Sequence, residues 1–498
     1  MWILTIGLMD RNPATIQAGD NLLRITQFWA LFLPVSQVWS VDAALSKESQ
    51  RDESASNNFA SLATIGYLGQ LTCLYLMSGL LKTGDSWKDG TAVFYALSLD
   101  SFVSDFGVWL RGFPQFCSIA TYGTVYFELL APLFFFIPWR QDFFRFAIFC
   151  LLCLMHIFFA ASLHIGVFGL ADIVALLPLL PGAFFKQIQS RLVDRRADTT
   201  AIVVAQGDLD ALVQARIIRE LLLPDAVSIC QEDRSPNQIE ARNRCPGDFW
   251  VRDAGGNFLA YPESLSSLLR LTRITRVFRA LVGSRLSVAF ITATTRLLSS
   301  SARNRLSSPS PQRFKSPVQA FTVRVTQCLL VYSMAFTIVV NIQSTGVGVL
   351  VLPQWLLLPG RLLHLSQGWL MFSSPPKSDV WFSIPGKLDD GTPVNVLSGH
   401  KGPVDFARPL SGAFSDTSLR WRKFYEALGY KDLGAHYRLF FGKYLCRYWN
   451  KGVQDKRQRL KTFNFVLVRE ENLLTGGHGP QHRTSLGGHV CYSNESTK

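Results

Sequence analysis

Residues 1–181 are written as apolar runs parted by short polar breaks, and the pattern changes character after Lys186. Six runs approach the roughly 20 residues that span the hydrocarbon of a bilayer. They are 22–39, 62–81, 119–138, 143–162, 166–181 and 325–342. The fifth is short, which suits a tilted or partly buried helix. A water-soluble protein rarely strings such runs in close succession, so the pattern predicts a multi-pass α-helical membrane bundle over 1–185, with the lipid bilayer as its partner.

Beyond the basic stretch 186–196 the periodicity is mixed. Residues 199–204 read as a short buried strand. Residues 208–223 read as a helix with Leu212, Ala215, Ile218, Leu221 and Leu222 on one stripe. A second strand is expected at 227–231, and strand and turn signals follow at 248–257. Strand, helix, strand and hairpin in that order predict a small thioredoxin-like α/β domain over 197–275. Residues 276–318 read as a basic Ser- and Pro-rich linker, 319–345 as one further transmembrane helix, and 346–470 as a mixed extramembrane C-terminal region. In that region the Asp390-Gly391 pair predicts a β-hairpin, and 420–450 predicts a basic amphipathic helix against an aromatic surface. The Gly-, Ser-, Thr- and His-rich stretch 471–498 is expected to be disordered.

The net charge is +14, with 48% hydrophobic and 17% charged residues. In a soluble chain that excess would point to nucleic acid. Here the cations flank membrane runs, so the positive-inside rule explains them and no nucleic acid is expected. If successive runs alternate sides, one face gathers Lys47, Arg51, Arg140, Lys186 and the arginines of 191–196. The other gathers Arg11, Lys82, Lys88 and Arg111. The richer face is cytoplasmic on this rule, which puts Lys82 and Met1 outside and implies a membrane segment upstream of Met1. Cys150 and Cys153 have redox spacing but sit in an apolar run, where packing is the simpler role, and the nine cysteines do not reveal a disulfide framework.

Lys82 carries the most chemistry. It ends an apolar run and opens the stretch 82–90, in which Gly84 and Gly90 break the helix, Asp85 and Asp89 are candidate partners, and Trp87 suits an interface. A cation there is either a snorkelling anchor or a functional base. At a dry interface desolvation favours the uncharged amine, which can accept a proton. Glu128, inside the third run, must be neutral or paired, and is expected to face the bundle interior with Arg24 or Lys82 as partner. His156 is either a packed membrane histidine or a proton donor. His164 lies two turns further on, but no carboxylate pair accompanies the two histidines, so no metal is expected.

The ordered set Arg11-Asn12-Pro13, Gly19-Asp20, the 78–90 turn, Glu128 with Pro132 and Pro138, and His156 with Gly166-Val167-Phe168 is similar to a known membrane domain. It resembles the domain shared by vitamin K-dependent gamma-glutamyl carboxylases and bacterial HTTM (horizontally transferred transmembrane) proteins. The resemblance implies that Lys82 is a base working with a reduced quinone of the vitamin K or menaquinone type, that His156 assists it, and that the protein lies in a bacterial inner membrane. Nothing matches the carboxylase domain that holds a protein substrate. Residues 207–212, Gly-Asp-Leu-Asp-Ala-Leu, resemble the Gly-Asp-Cys-Gly-Phe-Cys turn of DCC-type thiol oxidoreductases with both cysteines replaced by leucine, so disulfide exchange is lost there. Two readings follow: a quinone-linked, carboxylase-like membrane enzyme, or a non-enzymatic membrane scaffold or transport-associated protein.

Overall fold

The computed structural model describes residues 1–37, 39–45, 61–193, 197, 199–222, 227–232, 249–253, 255–259, 267–268, 271, 293–294, 317–346, 352–409, 419–430 and 432–491. Most of the expected linker, and the cations Lys47, Arg51, Arg195 and Arg196 used to assign faces, lie outside the described residues. The chain forms two compact units: Met1–Leu31 with Ile65–Leu179 and Leu330–Lys498, and Phe32–Thr64 with Leu180–Leu329.

In the first unit, α1 (Ala18–Ala30) is opened by a capping box in which the Gln17 backbone N–H donates to Asp20 at 2.9 Å. Helix α2 (Leu62–Leu80) is the inner helix, burying Gln70, Leu71, Leu74, Tyr75 and Ser78. Helix α3 (Pro114–Leu130) starts on a proline, which has no amide to waste there, and runs on through a tighter turn to Phe135. Helices α4 (Gln141–Ser162) and α5 (Phe168–Leu176) follow. In the loop between them Gly166 takes φ +65°, a conformation that favours glycine.

Among the described residues, three helices are long and apolar enough to cross a membrane: Pro114–Phe135, Gln141–Ser162 and Phe321–Ser344. A fourth counts if the bent pair Phe168–Leu179 and Gly182–Leu192 is one span. At 1.5 Å per residue, a 22-residue helix is about 33 Å long, which matches the hydrocarbon thickness. Ile119, Tyr126 and Leu130 on α3, and Phe143, Leu151, Leu154 and Ile157 on α4, are exposed. Such faces are stable against lipid and costly against water. The expected count of six is therefore not reached on length and apolarity. Helix α1 stops at Ala30, four residues before Pro34, and has 13 residues. Helix α2 has 19 residues but carries Gln70 and several small residues, as suits a helix packed among others.

The second unit holds strand β1 (Ala201–Ala205), helix α6 (Leu209–Leu222), strand β2 (Ser228–Glu232) and the short pair β3 (Trp250–Arg252) and β4 (Phe258–Leu259). They form one sheet in the order β2-β1-β3-β4, with β1 parallel to β2 and antiparallel to β3. The order of elements agrees with the expected strand, helix, strand and hairpin. Ile202, Val204, Ala211, Ala215 and Ile218 form the core, because β1 is buried on both faces and α6 lays its apolar stripe on it. Gly207 takes φ +85°, and Asp208 caps α6 by accepting from the Ala211 amide at 2.9 Å.

Helix α7 (Pro317–Ser344) leads back to the first unit and its C-terminal region. There, β5 (Ser378–Ser383), β6 (Pro385–Leu388), β7 (Pro393–Asn395), β8 (Leu460–Asn472) and β9 (His478–Val490) form an antiparallel sheet. Strand β8 pairs with β5 and β6 along one side and with β9 along the other. The β6–β7 hairpin turns at Gly391, φ +87°, where the Asp-Gly pair predicts it. The expected helix over 420–450 is two, α8 (Leu419–Gly429) and α9 (Asp432–Asn450), and their Phe424, Phe441 and Leu445 pack on the sheet beside Phe463 and Phe465.

The expected disorder from 471 is corrected for residues up to Cys491. Glycine and polar residues gave no periodic signal, yet the apolar alternation of β8 supplies a template on which β9 completes its backbone ladder, and Cys491 is tied to Cys446 by a disulfide. Cations fasten this region to one end of the helices. Arg420 pairs with Asp20 (2.7 Å to Oδ1) and donates to the Thr15 carbonyl. Arg422 lies 3.8 Å from the centre of the Phe102 ring and donates to the carbonyls of Ser101 and His164. Arg408 joins Asp100, Asp379 and Glu470. Burial raises the Asp379 carboxyl above its ordinary value, while Asn472 and Arg408 act in the opposite sense.

Candidate functional site

Lys82 stands one turn beyond Ser78 at the end of α2, and both face inward. Its ammonium donates to the Ser78 carbonyl at 3.1 Å, to Ser78 Oγ at 3.0 Å and to Glu128 Oε2. All three ammonium hydrogens are thereby used. The Trp87 ring lies 5.3 Å from Nζ. Lys82 and Glu128 are both buried, at 9% and 5% exposure, so Lys82 does not snorkel to water. Of the two partners open to Glu128, Lys82 is the one found; Arg24 instead donates to the Ser366 carbonyl at 2.5 Å.

The turn is held from outside the helices. Residues 366–374 run along α1 and α2. Gln367 and Gln70 exchange hydrogen bonds at 2.5 and 3.0 Å, and Trp369 is fully buried with its indole N–H on Gln367. Trp87 donates to the Phe372 carbonyl at 2.8 Å, and a Cβ added at Gly84 would come within 2.9 Å of Ser374 Oγ. Phe372 itself takes φ +52°, an uncommon conformation for an aromatic residue and a sign of local strain. Nothing in the spacing of residues 365–376 along the chain assigned this strap to the Lys82 turn.

His156 belongs to a second buried cluster. Its Nε2 lies 2.6 Å from Asp172 Oδ2 and 3.1 Å from the Tyr75 hydroxyl, and that hydroxyl donates to the same carboxylate oxygen. His156 is 3% exposed and Asp172 0%. Phe168 and Phe159 enclose the imidazole edge-on. Nearby, Tyr67 donates to the Ala175 carbonyl at 2.7 Å. Among the described residues, His156 Nδ1 and Asp172 Oδ1 are buried without a hydrogen-bond partner. Such orphaned atoms are rare in folded proteins and call for a physical account.

Helix α2 joins the clusters. Tyr75, Ser78 and Lys82 fall at i, i+3 and i+7, on one stripe about 10 Å long. His164 does not join, because α4 ends at Ser162; its backbone N–H donates to the Phe102 carbonyl at 2.5 Å and its carbonyl accepts from Arg422. Among the described residues no group of three His, Cys, Asp or Glu can hold a metal ion. Sequence reasoning missed Asp172 and Tyr75. An aspartate inside the apolar run 166–181 was a usable signal, since an unpaired carboxylate there is expensive. Tyr75 gave none.

No curated protein and no solved structure matches this chain. Residues 17–181, which contain Lys82, Glu128, His156, Asp172 and Tyr75, match the family model of the HTTM domain, and with its apolar helices the chain fits a multi-pass integral membrane protein bearing that domain.

Proposed function

We propose that the helical unit is a quinone-linked membrane enzyme of carboxylase type, with Lys82 as base and His156 as its helper. The observation that carries this is the Lys82–Glu128 pair, buried at the end of α2 and backed by an indole. An anchoring lysine would reach for water; this one is turned inward onto a carboxylate. Transfer of one proton from Nζ to Glu128 leaves a neutral amine beside a neutral acid, with no net charge created in a dry site. The amine can then take a proton from an acidic hydroxyl. The residues present fit a reduced quinone: two basic side chains for its hydroxyls, and Trp87, Tyr75, Phe135 and Phe168 as aromatic neighbours for its ring. The bound quinol would supply reducing power toward oxygen. Lys82 and His156 would hold and move its protons.

A second observation favours a different role for the other unit. Asp208 caps α6, as a thioredoxin-like active-site helix would be capped, but Leu209 and Leu212 stand where sulfur would act. We read this unit as a degenerate DCC-type domain with a binding or structural task; were the Lys82 site inert, the whole chain would be a membrane scaffold.

The test is titration of the purified protein in detergent with reduced menaquinone, following binding and oxygen consumption. Binding that is lost in Lys82→Ala and kept in Lys88→Ala, whose ammonium is exposed beside Asp85, supports the enzyme. No binding by the parent protein leaves the scaffold.

A further inference from the structure

The proposed quinol site gains two residues from the second cluster. We propose that Asp172 and Tyr75 are positioning residues that hold His156 with Nδ1 as a bare acceptor, and that Nδ1 takes a hydrogen bond, and then the proton, from a hydroxyl of the reduced quinone. This rests on the quinol reading above and assigns His156 the part of acceptor rather than donor.

With Asp172 taken as ionised, the geometry assigns the tautomer. A neutral imidazole has one N–H and one lone pair. Nε2 lies 2.6 Å from Asp172 Oδ2, a separation at which an ionised carboxylate requires a hydrogen between them, so Nε2 carries the proton. The Tyr75 hydroxyl donates to that same oxygen and sets its position. Nδ1 is left with the lone pair, buried and without a partner among the described residues. A carboxylate behind the ring stabilises the imidazolium formed once Nδ1 is protonated, as in any base oriented by a third group. The proton leaves the ring hydroxyl, its bonding pair stays on that oxygen, and the new positive charge on His156 is met by Asp172. A residue whose only task was packing would not be expected to leave a basic nitrogen unsatisfied, because an unpaired buried acceptor is costly. His156 would thus serve one hydroxyl of the quinol and Lys82 the other.

The test is nitrogen-15 NMR of histidine-labelled protein in detergent, with the His156 signals assigned by their loss in His156→Gln, read before and after reduced menaquinone. A bare, pyridine-like Nδ1 that shifts toward the protonated range on adding the quinol supports the inference. In Asp172→Asn the proton should redistribute between the two nitrogens, and quinol affinity should fall at least tenfold. Asp172→Glu should restore part of both, which a merely packed residue would not do. Folding of each variant is checked by its thermal transition, and Tyr75→Phe serves if Asp172→Asn does not fold. A protonated Nδ1 in the free parent overturns the inference while the quinol reading stands. A bare Nδ1 that ignores a quinol shown by titration to bind also overturns it. Failure of the quinol to bind at all overturns the proposed function and this inference with it.

Discussion

Removing Lys82 should destabilise the protein. In Lys82→Met the buried Glu128 loses the ammonium that balances it. Breaking a buried pair from one side costs about 3–5 kcal/mol, and that is the expected deficit. Glu128→Leu should cost a similar amount, since it strands the ammonium. The double variant Lys82→Met/Glu128→Leu removes both charges and should lie within about 1–2 kcal/mol of the parent. The assay is denaturant unfolding of the purified protein in detergent. Single variants as stable as the parent, or a double variant that loses the sum of the two, would refute the buried pair.

Three further outcomes are expected. A Cβ at Gly66 would lie 2.2 Å from the buried Trp29 ring, whereas at Gly69 nothing among the described residues lies within 4 Å; Gly66→Ala should cost about 1–3 kcal/mol and Gly69→Ala should stabilise by up to about 1 kcal/mol, read as opposite shifts in thermal midpoint. Cys446→Ser opens a loop of sequence separation 45, worth about 4 kcal/mol of chain entropy, and should expose residues 473–491 to proteolysis while Cys117→Ser leaves them protected. Burial, then the nearby Lys443, lowers His489 below its ordinary 6.5. The folded state therefore binds this proton less readily than the unfolded one, so β9 stability is intact above about pH 6.5 and falls as pH drops through and below it. Amide exchange along β9 should accelerate on acidification in the parent and less so in His489→Phe; equal acceleration would count against that role.

The sequence by itself determined the membrane character of residues 1–185, the order of elements in the small α/β unit, and Lys82, Glu128 and His156 as residues to watch. These follow from composition, periodicity and short motifs, which are local properties of the chain. Tertiary structure decided the rest. Lys82 and Glu128 are 46 positions apart, and only the packing of α2 against α3 makes one the partner of the other. Asp172 reaches His156 because the Gly166 turn folds α5 back onto α4. Gln367 closes on the middle of α2, and Phe372 on the Lys82 turn, from nearly 300 positions away. Strand β9 had no periodic signal of its own and became a strand because β8 presented it with unpaired backbone groups. Side chains that meet across such distances leave no mark in a sequence window, because burial makes an isolated charge or amide costly only once the fold has removed its water.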